Sequence, residues 1–298
     1  MKVLVAGWFS FEEMGATAGD LLVCDVACEW LEEAGYSYDV ALAAPFEGGI
    51  DWSSADPEKY SHVIFACGPF RYCSPLTEFL ERFSNSRLVG LNLTMLEPLG
   101  KESNPFDVLF ERNSSEKHRP DISFITNQAK VPVVGLILVH PQKEYKERAL
   151  HKIANQAIHR LIDSRQMAVV TIDTRLDSNS TGLRTAAEIE SLIAKMDVVL
   201  TTRLHGTVFS IKNGVPAVVV DAIAGGDKVS QHARAIGWSQ FFVADKLSDE
   251  NLQKAFDYCL TDAARKEAQS CHSNAVKQIE QLREEFIAEF VGDKQNIS

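Results

Sequence analysis

Short apolar runs alternate with longer amphipathic stretches along most of the chain. KVLVAG at 2–7, HVIFACG at 62–68 and RLVGLNLT at 87–94 are nearly continuous apolar runs of strand length. Such runs are typical of strands that are buried on both faces. Residues 18–34 instead place apolar side chains three and four positions apart, as an amphipathic helix does. A further strand is predicted at 38–44 and a short helix at 75–83.

The same alternation restarts after an irregular stretch at 97–128, which is rich in proline, glycine, asparagine and serine and has no clear period. That stretch is predicted to be a loop that includes short strands in part. The second series of strands is predicted at 133–140, 167–174, 197–203, 216–222 and 239–244. Helices are predicted between and after them, at 143–164, 185–195, 206–213, 228–236, 249–260 and 262–290.

This pattern predicts an α/β fold with two Rossmann-like domains, 1–128 and 129–298. Ligands of open α/β sheets bind outside the carboxyl ends of the strands. We therefore expect a cleft between the domains, with the strand ends of both facing it. The last helix, 262–290, can pack back on the N-terminal domain from its place at the end of the chain.

Composition narrows the class of protein. The chain has 298 residues, of which 45% are hydrophobic and 24% charged, as in an ordinary globular protein. The net charge of −11 argues against nucleic acid as a partner, because a polyanion is bound by a basic surface. The apolar runs are shorter than the roughly 20 residues that span a bilayer. The N-terminal apolar run is soon followed by Glu12 and Glu13, which favours a first strand over a signal peptide.

Six cysteines are scattered without the spacing of a zinc site, so no metal centre is predicted. Cys24 and Cys28 lie one helical turn apart and are expected to face a core as small apolar residues. This cysteine usage favours a reducing compartment, and the predicted location is cytoplasmic.

Polar and flexible residues follow the strands of the first half. Gly19 and Asp20 open the first helix, where backbone N–H groups can hold an anion or a hydroxyl-rich ligand. Asp20 has two interpretations, either a first-turn acid that complements the helix dipole or an acceptor facing the site. Gly68 permits close backbone approach, while Asn92 and Thr94 offer hydrogen bonds.

The strongest candidate site lies in TTRLHGTVFS, after the third strand of the second half. Arg203 offers a fork that matches a carboxylate or phosphate, and Gly206 is expected to begin the next helix. His205 can exchange a proton near neutral pH. Together they predict an anion site with an acid–base group. The alternative is that Arg203 pairs with Asp197 or Asp221 and that His205 only caps a turn.

A second cation is predicted at the start of the helix at 228–236. Lys228 follows a Gly-Gly loop, and a positive charge at a helix N-terminus is unfavourable with the helix dipole. A bound anion would offset this cost. The alternative is a solvated lysine.

These motifs resemble the polysaccharide pyruvyl transferase family. The likeness depends on TTRLHGTVFSIKNGVPAVVVD, 201–221, and on DKVSQHARAIGW, 227–238. GATAGD at 15–20 is similar to the family's N-terminal Gly-Asp turn but lacks its asparagine, and CGPF at 67–70 stands where the family has a glycine-rich turn. His140-Pro141 stands where many members carry an arginine.

The resemblance implies a GT-B-like fold and transfer of a pyruvyl group from phosphoenolpyruvate to two hydroxyls of a sugar, which gives a cyclic ketal. It implies that Arg203 and His205 belong to the donor site in the C-terminal domain, with Gly206 and Lys228 beside them. Arg203, His205 and Asp20 are the candidate catalytic residues. The acceptor, a free or lipid-linked saccharide or a polysaccharide, is expected on the N-terminal domain. No cofactor is expected beyond phosphoenolpyruvate as co-substrate.

Two other functions remain open from the residues. A GT-B glycosyltransferase that uses a nucleotide sugar would share the fold and the anion-binding turn, with Asp227 available to hold the ribose. A non-catalytic binding protein on the same fold is the second alternative.

Overall fold

The computed structural model describes residues 2–96, 104–115, 117–140 and 143–296. The chain divides into two compact units, Met1–Gln128 and Ala129–Ser298. Each unit has its own parallel sheet and its own hydrophobic core.

The first unit opens with a buried strand and alternates strands with helices. Its strands are β1 (Lys2–Gly7), β2 (Tyr38–Val40), β3 (Tyr60–Ala66), β4 (Pro69–Phe70), β5 (Arg87–Met95) and β6 (Val108–Asn113). Its helices are α1 (Ala18–Glu33) and α2 (Ser74–Arg82), with short 3₁₀ turns at Trp8–Ser10, Pro57–Lys59 and Ile122–Ile125.

All strands of this unit pair in parallel, in the order β2-β1-β3-β5, and β6 pairs with β5. The short strand β4 follows β3 in the chain and pairs with the same neighbour, β5. At this end of β5, Thr94 pairs with Pro69 of β4 on one side and with Asn113 of β6 on the other. The chain order reverses between β1 and β3, and this switch point is where open α/β sheets bind ligands.

The second unit repeats the alternation. Its strands are β7 (Val133–Ile137), β8 (Ala168–Thr171), β9 (Val198–Thr201), β10 (Ala217–Asp221) and β11 (Phe241–Val243). Its helices are α3 (His151–Asp163), α4 (Ala186–Ile193), α5 (Leu204–Lys212), α6 (Lys228–Ile236), α7 (Asp249–Cys259) and α8 (Asp262–Asn296), with 3₁₀ turns at Lys143–Arg148 and Ala244–Lys246.

The strands of the second sheet also run parallel, in the order β8-β7-β9-β10-β11. The central strands β9 and β10 are buried along their whole length, which explains their continuous apolar runs. The switch point of this sheet lies between β7 and β9. The predicted α/β class with two Rossmann-like units is confirmed.

Several predicted boundaries were wrong. The strand predicted at 38–44 ends at Val40, and the helix predicted from 143 begins only at His151 after a 3₁₀ turn. The helix expected to start at Gly206 starts at Leu204. The irregular stretch 97–128 contains β6 and a 3₁₀ turn, while its residues 97–103 and 116 lie outside the described residues.

The last helix begins in the core of the second unit, where Ala264, Ala268 and Cys271 are buried. Beyond them its apolar side chains, such as Ile279 and Phe286, are exposed. The cleft and the packing of this helix on the N-terminal domain concern the relative placement of the units and stay predictions.

Candidate functional site

The turn that leaves β9 is fixed to its neighbour in the sheet. Thr201 Oγ1 donates a hydrogen bond to the carbonyl oxygen of Ile137 at 3.0 Å and accepts one from the Arg203 amide at 3.0 Å. Thr202 Oγ1 accepts a hydrogen bond from the Val139 amide at 2.8 Å. The backbone at the carboxyl ends of β7 and β9 is therefore cross-linked at the switch point.

Arg203 occupies the N-cap position of α5, so His205 lies inside the first turn of this helix. The side chain of Arg203 forms no capping hydrogen bond with the helix. N–H groups in a first turn have no partner within the helix and carry partial positive charge. The start of α5 thus combines backbone donors that have no partner within the helix with an arginine.

Gly206 has a packing reason to be glycine. A Cβ atom at this position would lie 2.2 Å from Thr201 Oγ1, well inside van der Waals contact. Gly206 is itself buried, since the first turn of α5 lies directly against the end of β9. The structure thus explains the glycine by packing, and its place in the donor site stays a prediction.

Asp173, which follows β8, contacts side chains that follow β7 and β9. Its Oδ1 accepts a hydrogen bond from Arg203 Nη1 at 3.0 Å, and its Oδ2 lies 3.2 Å from His140 Nε2. The carboxylate is 4% exposed, whereas the side chain of Arg203 is 18% exposed. The structure therefore places Arg203 and His140 on one buried carboxylate.

Backbone donors hold this carboxylate in its ionised form. Burial alone would raise the pKa of Asp173, but hydrogen bonds from the Arg175 amide, from His140 and from the Ser180 amide outweigh it. The net result is a pKa of about 2. Asp173 thus carries a negative charge throughout the neutral range.

Replacing Asp173 with asparagine is expected to remove a pH-dependent part of the stability. The folded-state pKa is depressed from 3.8 to about 2, so the stabilisation is present above about pH 4 and is lost as pH falls towards 2. It amounts to about 2 kcal/mol at neutral pH. Urea unfolding of both proteins between pH 7 and 3 checks this. A wild-type advantage that does not shrink with acid would contradict it.

His205 projects from the exposed side of the first turn of α5 and stacks on Phe209, with ring centroids 5.8 Å apart. Burial, together with the positive charge of a protonated His205, lowers the pKa of His232. His205 is thus accessible for proton transfer and lies within electrostatic range of a second imidazole. No hydrogen bond joins it to Arg203 within the part of the chain that the structure describes.

Lys228 is the first residue of α6 and is exposed, with its ammonium 5.7 Å from the centre of the Tyr145 ring. The loop before it is held by Arg148, whose guanidinium donates to the carbonyl oxygens of Ala224 and Gly226. Asp227 lies 3.6 Å from the same guanidinium. Lys228 is therefore exposed, with a second cation nearby that the sequence did not indicate, and its role in the donor site stays a prediction.

Asp197 and Asp221, the alternative partners of Arg203, form hydrogen bonds with other groups. Asp197 accepts from the Val133 amide and pairs with Arg265 at the amino end of β9. Asp221 is buried and accepts hydrogen bonds from backbone amides of the loop and of α6. The alternative in which Arg203 pairs with Asp197 or Asp221 was wrong, because Asp173, which follows β8, supplies the carboxylate instead.

The first unit has a cavity of about 380 Å³ at its own switch point, beside the ends of β1 and β3. Its walls include the start of α1 and a mixture of cationic and acidic side chains. The lining includes Trp8, Gly19, Asp20, Gly68, Arg112 and Asp121.

Asp20 caps the helix that it opens, and its carboxylate also lines the cavity; its role as an acceptor for a ligand stays a prediction. Its Oδ2 accepts hydrogen bonds from the Thr17 amide at 2.7 Å and from Thr17 Oγ1 at 2.8 Å, as a capping residue of α1 does. Its Oδ1 lies towards Gly68 and the cavity. Burial and the hydrogen bond to Asp20 raise the pKa of Cys67 to about 12, so this thiol is a donor to the carboxylate.

Gly68 is required by its surroundings. Its φ of +82° is rarely adopted by other residues, and a Cβ atom there would lie 2.3 Å from the Trp8 ring. The backbone that follows β3 therefore forms part of the cavity wall.

Asn92 and Thr94 form hydrogen bonds with side chains that line the cavity. Asn92 is buried and donates to Asp121 Oδ2 at 3.1 Å, and Thr94 Oγ1 accepts from Arg112 Nη2 at 2.7 Å. Arg112 also pairs with Asp121. Burial would raise the pKa of Asp121, but the bonds from Ser123, Arg112 and Asn92 hold it at about 2.

Sequence reasoning missed Asp173, Arg112 and Asp121 as site residues, and it noted His140 only as a departure from a family pattern. Asp173 follows the apolar run of β8, so the rule that strand ends carry function was a signal for it. Arg112 and Asp121 lie in an irregular stretch that offered no such signal. Pro141 lies outside the described residues.

Within the described residues, no helix combines the length and apolar character needed to cross a bilayer. The same residues hold no group of three or more potential metal ligands.

The fold and the site define a protein with two Rossmann-like units, each with polar groups at its switch point. Residues 144–222 match the family model described as polysaccharide pyruvyl transferase, which confirms the resemblance over this segment. The matched segment contains Asp173, Arg203 and His205 but not His140 or Lys228. The chain has no match among curated protein sequences.

Solved structures align over nearly the whole chain at low identity. The Spinosyn Rhamnosyltransferase SpnG is 12% identical, with a TM-score of 0.34 over 92% of this chain and 96% of its own. The UDP-GlcNAc 2-epimerase from Methanocaldococcus jannaschii is 11% identical, with a TM-score of 0.34 over 95% and 100%. MurG from Acinetobacter baumannii is 13% identical, with a TM-score of 0.33 over 95% and 99%. Likeness at this level carries no conclusion about activity.

Proposed function

We propose that this protein transfers a pyruvyl group from phosphoenolpyruvate to two hydroxyls of a sugar, forming a cyclic ketal. The observation that carries the proposal is the position of Arg203 and the start of α5 at the switch point of the second sheet, inside the segment that matches the family. Phosphoenolpyruvate carries a carboxylate and a phosphate, and an arginine fork beside helix N–H donors suits both groups.

In the proposed reaction, a proton is added to the methylene carbon of phosphoenolpyruvate, and the adjacent carbon becomes an oxocarbenium-like centre. One sugar hydroxyl adds to this carbon and loses its proton. The second hydroxyl then replaces phosphate, which leaves as inorganic phosphate, and loses its own proton. His205 is the proposed acid–base group, because its imidazole is exposed beside the helix start.

The acceptor sugar is proposed to bind in the cavity at the switch point of the first unit. Asp20 Oδ1 and the Arg112–Asp121 pair supply acceptors and donors for hydroxyl groups there. The proposal assigns phosphoenolpyruvate as co-substrate, includes no cofactor and places the protein in the cytoplasm. The six cysteines, which form no disulfide, are typical of a reducing compartment.

Ligand-dependent melting tests this function first. Phosphoenolpyruvate is expected to raise the melting temperature, while UDP and GDP leave it unchanged, because binding to the folded state alone stabilises it. The reverse result would favour a glycosyltransferase that uses a nucleotide sugar. Asp227 argues against that alternative, since its carboxylate already caps the Lys228 amide and lies beside Arg148.

Turnover is tested with phosphoenolpyruvate and a panel of free, nucleotide-linked and lipid-linked sugars. Release of inorganic phosphate together with the mass gain of a pyruvyl ketal on one acceptor is the expected result. Binding of phosphoenolpyruvate without turnover on any acceptor would instead point to a non-catalytic binding protein.

A further inference from the structure

An apolar groove of about 340 Å³ lies on one face of the first sheet, between α1 and the strands β5 and β6. Trp30 and Leu31 of α1 form one wall. Leu91 and Phe110, which pair across β5 and β6, form the opposite wall. Trp30 is 42% exposed and Phe110 is 47% exposed, so both rings present apolar surface to a ligand. A groove of this size and character is typical of a site for an apolar group.

The groove adjoins the cavity at the switch point of the first unit, because Arg112 lines both. The guanidinium of Arg112 donates to Thr94 Oγ1 at 2.7 Å and pairs with Asp121. Thr94 lies near the carboxyl end of β5, whereas Leu91 lies further back along the strand. The groove therefore runs from the carboxyl edge of the sheet, where the polar cavity lies, along the face of the sheet.

Positive charge is concentrated where the cavity and the groove adjoin. Arg71 lines the cavity and Arg119 lines the groove, and neither pairs with a carboxylate among the described residues. The one carboxylate of the groove lining, Glu111, lies 3.6 Å from the ammonium of Lys117. Guanidinium groups in this arrangement suit the oxygens of a phosphate or diphosphate.

We propose that the groove binds the hydrocarbon chain of a lipid-linked saccharide, and that Arg71, Arg112 and Arg119 contact the diphosphate that joins this chain to the sugar. This inference rests on the proposed function, because the sugar in the cavity is the proposed acceptor. Hydroxyl groups, diphosphate and hydrocarbon follow one another in such a ligand in the same order as cavity, arginines and groove. A free polysaccharide has no apolar segment that would fill the groove.

Binding of the full chain to farnesyl diphosphate, measured by isothermal titration calorimetry, tests this proposal. Inorganic diphosphate and farnesol serve as probes for the two parts of the ligand. Farnesyl diphosphate is expected to bind about 100-fold more tightly than inorganic diphosphate, since each buried methylene group contributes about fourfold. It is also expected to bind more tightly than farnesol. Equal affinity for farnesyl diphosphate and either probe would overturn the proposal.

The groove is tested with Phe110→Ala, which is expected to weaken binding of farnesyl diphosphate about tenfold and to leave inorganic diphosphate unchanged. Trp30→Ala removes the opposite wall and is expected to have the same selective effect, so the test does not depend on the folding of one variant. Phe124→Ala is the matched control, because Phe124 is 83% exposed and does not line the groove. Wild-type affinity in both groove variants would contradict the proposal.

The arginines are tested with Arg119→Gln, which is expected to weaken both farnesyl diphosphate and inorganic diphosphate about fivefold. The ratio between the two ligands is expected to stay as in wild type, because the groove is unchanged. Arg87→Gln is the control, since Arg87 is exposed at the amino end of β5 and its loss is expected to change neither affinity. Equal effects of the two substitutions would remove Arg119 from the site.

The competing source of a phosphate with a hydrocarbon chain is a membrane phospholipid. Vesicles of phosphatidylglycerol that bind wild type as tightly as farnesyl diphosphate does, and that lose this binding in Phe110→Ala, would assign the groove to membrane lipid and overturn the proposal.

Phosphoenolpyruvate takes no part in these titrations, so the inference and the proposed function fail separately. Loss of the chain-dependent binding, with phosphoenolpyruvate still raising the melting temperature, would overturn the inference and leave the function standing. Binding of farnesyl diphosphate that depends on Phe110, in a protein that does not bind phosphoenolpyruvate, would overturn the function and keep the groove as a site for a lipid diphosphate.

Discussion

Replacing Arg203 with lysine is expected to lower kcat/KM for phosphoenolpyruvate by about 10²–10³-fold. The guanidinium of Arg203 donates one N–H to Asp173, and its other N–H groups, which lie in the same rigid plane, can bind the ligand. A lysine ammonium carries the same charge as a single point, so it cannot make both contacts in fixed directions. Initial rates of phosphate release at saturating acceptor measure the change.

Arg265→Lys is the matched control for this substitution. Arg265 also pairs with an aspartate, Asp197, but at the amino end of β9, opposite to the site. The control is expected to keep kcat/KM within about twofold, as is usual for an exposed ion pair far from the chemistry. If Arg203→Lys retained full activity, the donor site would have to lie elsewhere.

Gly206→Ala is expected to destabilise the second unit by about 1–3 kcal/mol, which is typical of an added methyl group in a packed interior. The new Cβ would lie 2.2 Å from Thr201 Oγ1 and 3.1 Å from Ile137 Cγ2, so α5 must move away from β9. That movement shifts Arg203 as well, and we expect activity to fall together with stability. Urea unfolding and phosphate release measure the two effects.

A double-mutant cycle with Thr201→Ala separates packing from other causes. Thr201→Ala alone removes the hydroxyl that bonds to Ile137 and Arg203, and it is expected to destabilise the protein. In the double variant that hydroxyl no longer opposes the new methyl group, so the combined loss should be smaller than the sum. Strictly additive losses would show that close contact with Thr201 is not the reason for glycine.

The sequence pattern predicted the order of strands and helices because buried parallel strands leave continuous apolar runs. The helix predicted at 228–236 has the same bounds in the structure, since an N-cap aspartate and a C-terminal glycine mark its ends. The strand predicted at 38–44 was too long for a physical reason. In the part of that segment beyond the strand, only Ala41 is buried, and it pairs with Ile50 in an isolated bridge, while Ala44 is exposed in a turn, so the apolar run outlasts the strand.

The position of Arg203 was predictable from its place after β9, but its partner was not. Asp173 lies 30 residues earlier in the chain, just after the apolar run of β8, and it meets Arg203 only because β8 and β9 flank β7. The reason for Gly206 was equally hidden, because it depends on a contact across the turn. Pairings that sheet order creates between distant residues are not visible in local patterns.

Four neighbouring strands follow the same order in the two sheets, β2-β1-β3-β5 in the first and β8-β7-β9-β10 in the second, so positions in one unit have counterparts in the other. The end of β3 in the first unit corresponds to the end of β9 in the second. The first carries Cys67 and Gly68, which bring bare backbone to a cavity, whereas the second carries Thr202 and Arg203, which bring charge. The same corner of the strand arrangement thus presents backbone suited to hydroxyl groups in one unit and side chains suited to anions in the other.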